Sequence, residues 1–473
     1  MPVAVNDRSP VVFHLARDWE LTEPMMDGTR AMRECGERHL PKWPAEGAEA
    51  YQSRLRVATL FPAYQRTVGV MAGKPFSQPA TIDGLSGSNK TVWQPWIDNI
   101  DRQGVSLHVF AAEMMIEVLA HGLAGIFVDV PRVPDEARLP TGITTRESER
   151  AAGVRPYFVR VKHNQILGWK TDNNGQLTMV RFREEVEMDD GDFGTRCVHR
   201  VRVLTPGAFQ VWEQQGLENE FVLVDSGTTS LDVIPYVPLY GRRKRFMVGT
   251  PPLLDVAFLN CKHWQSQSDQ DTILHVARVP ILAMIGADDN TQLTVGGSSA
   301  VKLPLGAELK FVEHSGHAIA AGQAALGALE EQMVQAGAEL LIKKPGQQRT
   351  ATESSNDAEG NRCDLQRITE DFEDSLDQAL MFAGQYVGVA PPRVTLFKDF
   401  GAATMGEASA ALVKDLHLAG VITAVTAIRE LQRRGVVSED VDPEVEAAAA
   451  EAEVTAMVKP PMVSASDEVN ANI

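Results

Sequence analysis

Cysteine is scarce in this chain: Cys35, Cys197, Cys261 and Cys363 are the only four in 473 residues, and they stand far apart. No Cys-x-x-Cys pair exists, which excludes zinc ribbons and dithiol redox motifs and leaves free thiols in a reducing compartment as the expectation. Long apolar runs are missing too. The best stretch, Met114 to Val130, is cut by His121, Gly122 and Gly125 and carries Glu117 and Asp129, with Glu113 just outside, so no bilayer span is expected. Met1 to Arg8 shows no charged segment leading into an apolar run, so no secretory signal is expected and the protein is expected to be soluble and intracellular when made. Neither the phosphate-cradling G-x-x-x-x-G-K-[ST] nor a G-x-S-x-G nucleophile elbow occurs. Asp192-Phe193-Gly194 lacks the His-Arg-Asp loop and Gly-rich loop that would make it a kinase element, and Asp190-Gly191-Asp192 is turn chemistry. Positive charge is also in deficit. Forty-five Lys and Arg face 63 Asp and Glu, for a formal charge of -18. That balance argues against a protein that coats nucleic acid, which needs a basic face, though not against one that lets nucleic acid slide past.

What is present is ordinary globular material, 44% hydrophobic and 23% charged, in a chain long enough for two to four structural regions. The first 45 residues, rich in Pro, Gly and charge, suggest an irregular arm or peripheral helix anchored by Trp19 and Trp43. Tyr51 to Ala72 has a helical apolar face, and Trp93 to Leu119 is mostly helical before a strand at Ile126–Val130. A polar loop follows from Pro131 to Gly153. Strand patterns then run from Pro156 to about Leu239, with turn signals at Asn173-Asn174-Gly175 and Asp190-Gly191-Asp192, as in an antiparallel meander. The fold class is therefore α+β.

Thr250 is a plausible N-cap with Pro251 and Pro252 in the first turn, starting a helix that runs to about Val276. Short strands at Val279–Ile285, Ala300–Leu303 and Leu309–Glu313 follow, with a turn at Gly296-Gly297. From His317, Ile319, Leu326, Leu329, Met333, Ala336 and Leu340 mark one helical face; Leu365, Ile368, Phe372, Leu376 and Leu380 mark another. Between them Pro345 and Gly346 break the helix. A short basic loop, Lys343, Lys344, Gln347, Gln348 and Arg349, is thus mounted between two helices and is a candidate contact site. Its lysines also suit the carbonyl end of the preceding helix. Gly360 weakens the start of the next helix by about 1 kcal/mol relative to Ala, so neighbouring subunits are a candidate support for it. Beyond Phe397, helix is expected over Gly406–Arg434 and around Ala447–Ala450, with disorder from Lys459.

The densest basic run is Arg242-Arg243-Lys244-Arg245, either a solvated loop or a contact patch for nucleic acid or an acidic neighbour. Glu313, His314 and His317 lack the His-Glu-x-x-His order, so exposed or satisfied histidines at a strand–helix junction are expected, and no metal site. No catalytic constellation and no cofactor motif emerge. A hydrolase would need an unrecognised site, for which His314 and His317 offer no support beyond their proximity.

Taken in order, these elements resemble a tailed-bacteriophage portal protein, the head-to-tail connector. Ile234 to Leu239 followed by Thr250 to Asn260 looks like the strand and first stem helix of that family. His263 to Asp269 resembles a portal-like group still named as a domain of unknown function. Arg349-Thr350-Ala351-Thr352-Glu353 is similar to the start of the long portal helix, and Arg434 to Ser438 with Asp442-Pro443-Glu444 to the C-terminal region. The resemblance covers roughly residues 50 to 455. It implies an N-terminal arm over 1–49 and a wing over 50–249 with 389–401. A first stem helix (250–278), a clip (279–316) and a second stem helix (317–342) would follow. A tunnel loop (343–350), a long helix (351–388), a helical crown (402–455) and a disordered tail (456–473) complete it. It further implies a non-enzymatic dodecameric ring at one capsid vertex, with double-stranded DNA passing through without sequence specificity. The implied partners are the terminase large subunit, a head–tail adaptor, and the major capsid and scaffolding proteins, but no membrane. The implied location is the virion, with assembly in the host cytoplasm. A non-channel structural protein, such as an adaptor or scaffold, is the alternative; it leaves the β module between two stem helices unexplained.

Overall fold

Ser9 and Pro10 start the first helix, the serine hydroxyl accepting from the Val12 amide and the proline occupying the first turn. The structure, a computed structural model, describes residues 4–85, 87–131, 153–216, 220–278, 281–286, 308–312, 317–342, 362–398, 400, 413–419, 422–433, 437 and 441–458. Helix α1 (Pro10–Asp27) is central rather than peripheral. Val12, Leu15, Ala16 and Trp19 recur on one face and pack into a core with Phe127, Val161, Phe182 and Tyr236. Arg17 and Glu20 are exposed between these apolar positions, and Pro24 is itself buried within the helix.

Next come α2 (Thr29–Glu34), α3 (Ala48–Val57) and α4 (Ala63–Gly73). The single helix expected over Tyr51–Ala72 is thus two. Pro62 disfavours helical geometry in the residue before it, and the chain is already extended at Ala58 (ψ 134°). A short strand β1 (Thr81–Asp83) leads to α5 (Ser88–Ile97) and α6 (Leu107–His121), the latter capped by Ser106. Gly122 ends α6 in the left-handed region (φ 81°), its N–H bonding the Val118 carbonyl at 2.8 Å.

Strands β2 (Leu123–Asp129), β3 (Tyr157–Val161), β4 (Ile166–Thr171), β5 (Leu177–Asp190), β6 (Gly194–Thr205), β7 (Ala208–Gln215), β8 (Glu220–Thr228) and β9 (Tyr236–Tyr240) follow. They form a three-stranded sheet ordered β3-β2-β9 and a five-stranded antiparallel meander β4-β5-β6-β7-β8. The meander is the one its turn signals predict. Two glycines permit close approach: a Cβ on Gly125 would fall 2.1 Å from the Tyr236 hydroxyl, and one on Gly249 would fall 2.2 Å from the Gly122 carbonyl oxygen.

Strand β10 (Arg242–Arg245) pairs with β11 (Val248–Thr250), so Thr250 ends a strand instead of capping a helix. Pro251 and Pro252 hold the residues before them extended, and the helix α7 begins at Leu254 and runs to Ala277. The hairpin of β12 (Ile281–Ile285) and β13 (Glu308–Val312) is in register from Ile281↔Val312 to Ile285↔Glu308. The expected strand at Ala300–Leu303 and the turn at Gly296-Gly297 lie outside the described residues. Helix α8 (His317–Ala338) returns antiparallel to α7: Gln270 Nε2 donates to the Ile319 carbonyl at 3.0 Å, and His263 Nε2 lies 3.3 Å from Glu330 Oε1. Leu326, Leu329, Met333 and Leu340 are buried as their spacing predicts; Ile319 and Ala336 are half-buried.

Asn260, fully buried on α7, accepts from the Tyr64 amide at 2.9 Å and donates to the Phe61 carbonyl at 2.9 Å, tying this helix to the start of α4. Helix α9 (Asp364–Val387) buries Leu365, Ile368, Phe372, Leu376 and Leu380. Its Asp377 and Glu373 accept backbone N–H groups of Val394 and Leu396, which tethers strand β14 (Arg393–Thr395), the partner of β1. No described helix is long and apolar enough to cross a membrane.

The chain divides into units Met1–Lys398 and Asp399–Ile473. In the second, residues 413–418 are helical, and α10 (Ala424–Arg433) and α11 (Pro443–Val458) follow. Helix is therefore present within Gly406–Arg434 and around Ala447–Ala450, as expected, while the tail from Lys459 lies outside the described residues.

Candidate nucleic-acid interface

The run Arg242-Arg243-Lys244-Arg245 is a strand with all four residues exposed, not a loop. Backbone pairing to Val248, Gly249 and Thr250 fixes it, with a bulge between Arg243 and Arg245 that sets Lys244 out of register. The turn is held from inside. Met247, fully buried with φ 58°, donates its N–H to the Tyr240 hydroxyl at 2.9 Å. Arg243 lies over the Tyr240 ring, 5.1 Å from its centroid.

Acids of the same chain take up part of this charge. Arg242 Nη2 sits 3.2 Å from Asp364 Oδ2 at the first turn of α9, and Arg367 also pairs with Asp364. Asp371, about two helical turns further along, is raised above the ordinary aspartate range by burial, with Arg243 pulling the other way. Lys244 and Arg245 form no ion pair among the described residues. The ribbon therefore presents two outward cations beside two that are partly neutralised.

Lys343, Lys344, Gln347, Gln348 and Arg349 lie outside the described residues. The described chain on either side of them is informative. A cavity of about 320 Å³ is lined by Arg242, Leu340, Ile342 and Asp364, among others. Ile342 is the last described residue before the basic loop, and Asp364 opens the next helix. Both thus border Arg242 in this cavity.

A further constellation is invisible to sequence spacing because it joins three distant segments. Glu117 and His121, one helical turn apart on α6, meet His163 of the 163–165 turn, their ligand-type atoms all within 4.8 Å of one another. His163 Nδ1 lies 2.5 Å from Glu117 Oε1 and its Nε2 2.9 Å from Glu23 Oε1 of α1. His121 Nδ1 bonds the Thr22 hydroxyl at 2.9 Å, and the two imidazoles stack at 3.6 Å. Burial lowers His163's affinity for a proton, but hydrogen bonds to Glu117 and Glu23 outweigh it and raise its pKa. Burial and the charge of His163 depress His121 to about 3, leaving it neutral. Burial would raise Glu117, yet its hydrogen bond and charge pairing with His163 bring it down to about 2. The only sequence-level hint is the four-residue spacing of Glu117 and His121. His317 opens α8 as an ordinary helix start, and His314 lies outside the described residues.

A family profile described as Domain of unknown function (DUF4055) matches residues 252–387. No curated protein matches the chain. Among solved structures, the neck of an empty GTA particle computed with C6 symmetry is similar at 12% identity and TM-score 0.43, covering 78% of this chain and 89% of that one. The neck of a native GTA particle computed with C12 symmetry gives 11% and 0.41, covering 84% and 98%. The virion of a native gene transfer agent (GTA) particle gives 13% and 0.41, again covering 84% and 98%.

Proposed function

We propose that the chain is the subunit of a portal-type ring: a structural, non-catalytic channel protein, dodecameric, at one vertex of a viral capsid. Double-stranded DNA passes through it on packaging and ejection. The observation that carries this reading is the element order from Leu254 to Val387. Helices α7 and α8 run antiparallel, the β12–β13 hairpin joins them, a Lys- and Pro-containing connector leaves α8, and the long α9 returns across β2 and β9. The DUF4055 match covers this same stretch.

In this reading 250–278 and 317–342 are the stem, 279–316 the clip that receives the terminase large subunit, and 343–350 the tunnel loop. Residues 50–249 with 389–401 form the wing, 351–388 the long helix and 402–455 the crown, with adaptor, major capsid and scaffolding proteins as the other partners. The net charge of -18 per chain fits a conduit. An acidic wall repels phosphates and avoids the many Lys/Arg contacts that make binding tight and salt-dependent. Lys343, Lys344 and Arg349, and separately Lys244 and Arg245 of the ribbon, supply a few backbone contacts without sequence preference. An adaptor or scaffold role leaves the inserted hairpin without a purpose.

Electron microscopy of the purified chain tests the assembly. Rings with a central channel are expected; monomers or filaments under all conditions would sink the reading. Deleting Lys343 to Gln348 is expected to leave ring formation intact while impairing DNA packaging or retention. Packaging at the wild-type level would remove the loop from the mechanism and leave the ring untouched.

A further inference from the structure

We propose that Glu117, His121 and His163 bind one divalent transition ion of the zinc class, with Glu23 orienting His163 from α1. The donor set, two imidazoles and a carboxylate, is one that borderline metals take. Glu117 and His121 are four residues apart on α6 and therefore share a face, while His163 arrives from the turn after β3. Atoms bound to one ion at about 2.0–2.2 Å stand at most about 4.4 Å apart. The ligand-type atoms here lie within 4.8 Å of one another, so closing on one ion draws them in and turns the stacked imidazoles apart.

The hydrogen bonds already divide the ring nitrogens as a metal site requires. His121 spends Nδ1 on Thr22, leaving Nε2 for the ion. His163 faces Glu117 with one nitrogen and Glu23 with the other. The second arrangement is the carboxylate–histidine pairing that fixes a metal-bound ring, and Asn164 Nδ2 holds that Glu23 oxygen at 2.8 Å.

Charge favours the ion as well. Two carboxylates, Glu23 and Glu117, face the paired imidazoles of this cluster. His121 and His163 are only 5% and 3% exposed. A divalent cation set among two carboxylates and two neutral imidazoles gives a buried group of zero net charge. The ion would join α1, α6 and the 163–165 turn, pinning the N-terminal helix to the sheets.

The test uses the full chain purified without a histidine tag, stripped with chelator and titrated with Zn²⁺. One equivalent is expected to remain through gel filtration and to raise the Tm by several degrees. Glu23→Gln is expected to weaken retention by about 10- to 100-fold, as loss of an orienting carboxylate does. His121→Gln should abolish it. If His121→Gln misfolds, the wild-type chain loaded with Co²⁺ decides: a visible absorption band that one equivalent of Zn²⁺ bleaches supports the site. Zinc retained by no form of the chain, or equally by wild type and His121→Gln, overturns the assignment and leaves a proton-filled ion-pair cluster.

Discussion

Gly122→Ala is expected to cost more than about 4 kcal/mol and to leave little folded protein. Two penalties combine at this position. A φ of 81° places an L-residue in the left-handed region, at roughly 1–2 kcal/mol. The added Cβ would also stand 2.3 Å from the Thr250 carbonyl carbon and 2.4 Å from the Pro251 nitrogen. Those are backbone atoms, so no side chain can swing aside. Gly175→Ala separates the two effects. Its φ is 80°, but nothing lies within 4 Å of the added carbon, so only the conformational penalty of roughly 1–2 kcal/mol should appear. Urea unfolding followed by circular dichroism reads both. Equal losses in the two variants would refute the crossing as the cause.

Asn260→Ala should destabilise the chain by about 2–5 kcal/mol, because it strands two buried backbone groups at once. The Tyr64 amide loses its acceptor and the Phe61 carbonyl its donor, at a side chain with no solvent exposure. The loss should appear as a lower unfolding midpoint with an unchanged slope. A shift worth under about 0.5 kcal/mol would mean that water or a local shift replaces both bonds.

The helical and meander parts of the fold were legible because their apolar spacing is strict. Leu365, Ile368, Phe372, Leu376 and Leu380 are all buried, and strand β3 (Tyr157–Val161) opens the stretch of strand pattern that begins at Pro156. Thr250 misleads because serine-like chemistry before a helix and β-branching at a strand end look alike locally. The choice is made by pairing with Arg242, which no local window contains. Pro24, inside α1, similarly disguises a core helix as an arm. The basic ribbon was visible as a charge run, but its partial neutralisation by Asp364 depends on a residue 122 positions away. The Glu117–His121–His163 cluster was beyond reach for the same reason, since His163 is brought in by the sheet.

The glycine crossing has a mechanical corollary. Where α6 ends, Gly122, Gly241 and Gly249 bring three backbones together, and the Gly241 N–H bonds the Gly122 carbonyl at 2.9 Å. Side chains normally space elements apart, and at Gly122 the neighbouring atoms are backbone atoms of Thr250 and Pro251. The end of the β10–β11 ribbon at Thr250 is therefore in direct backbone contact with the end of α6 at Gly122. The residue directly before that joint is His121, so a shift of the ribbon against α6 would act next to the buried imidazole pair.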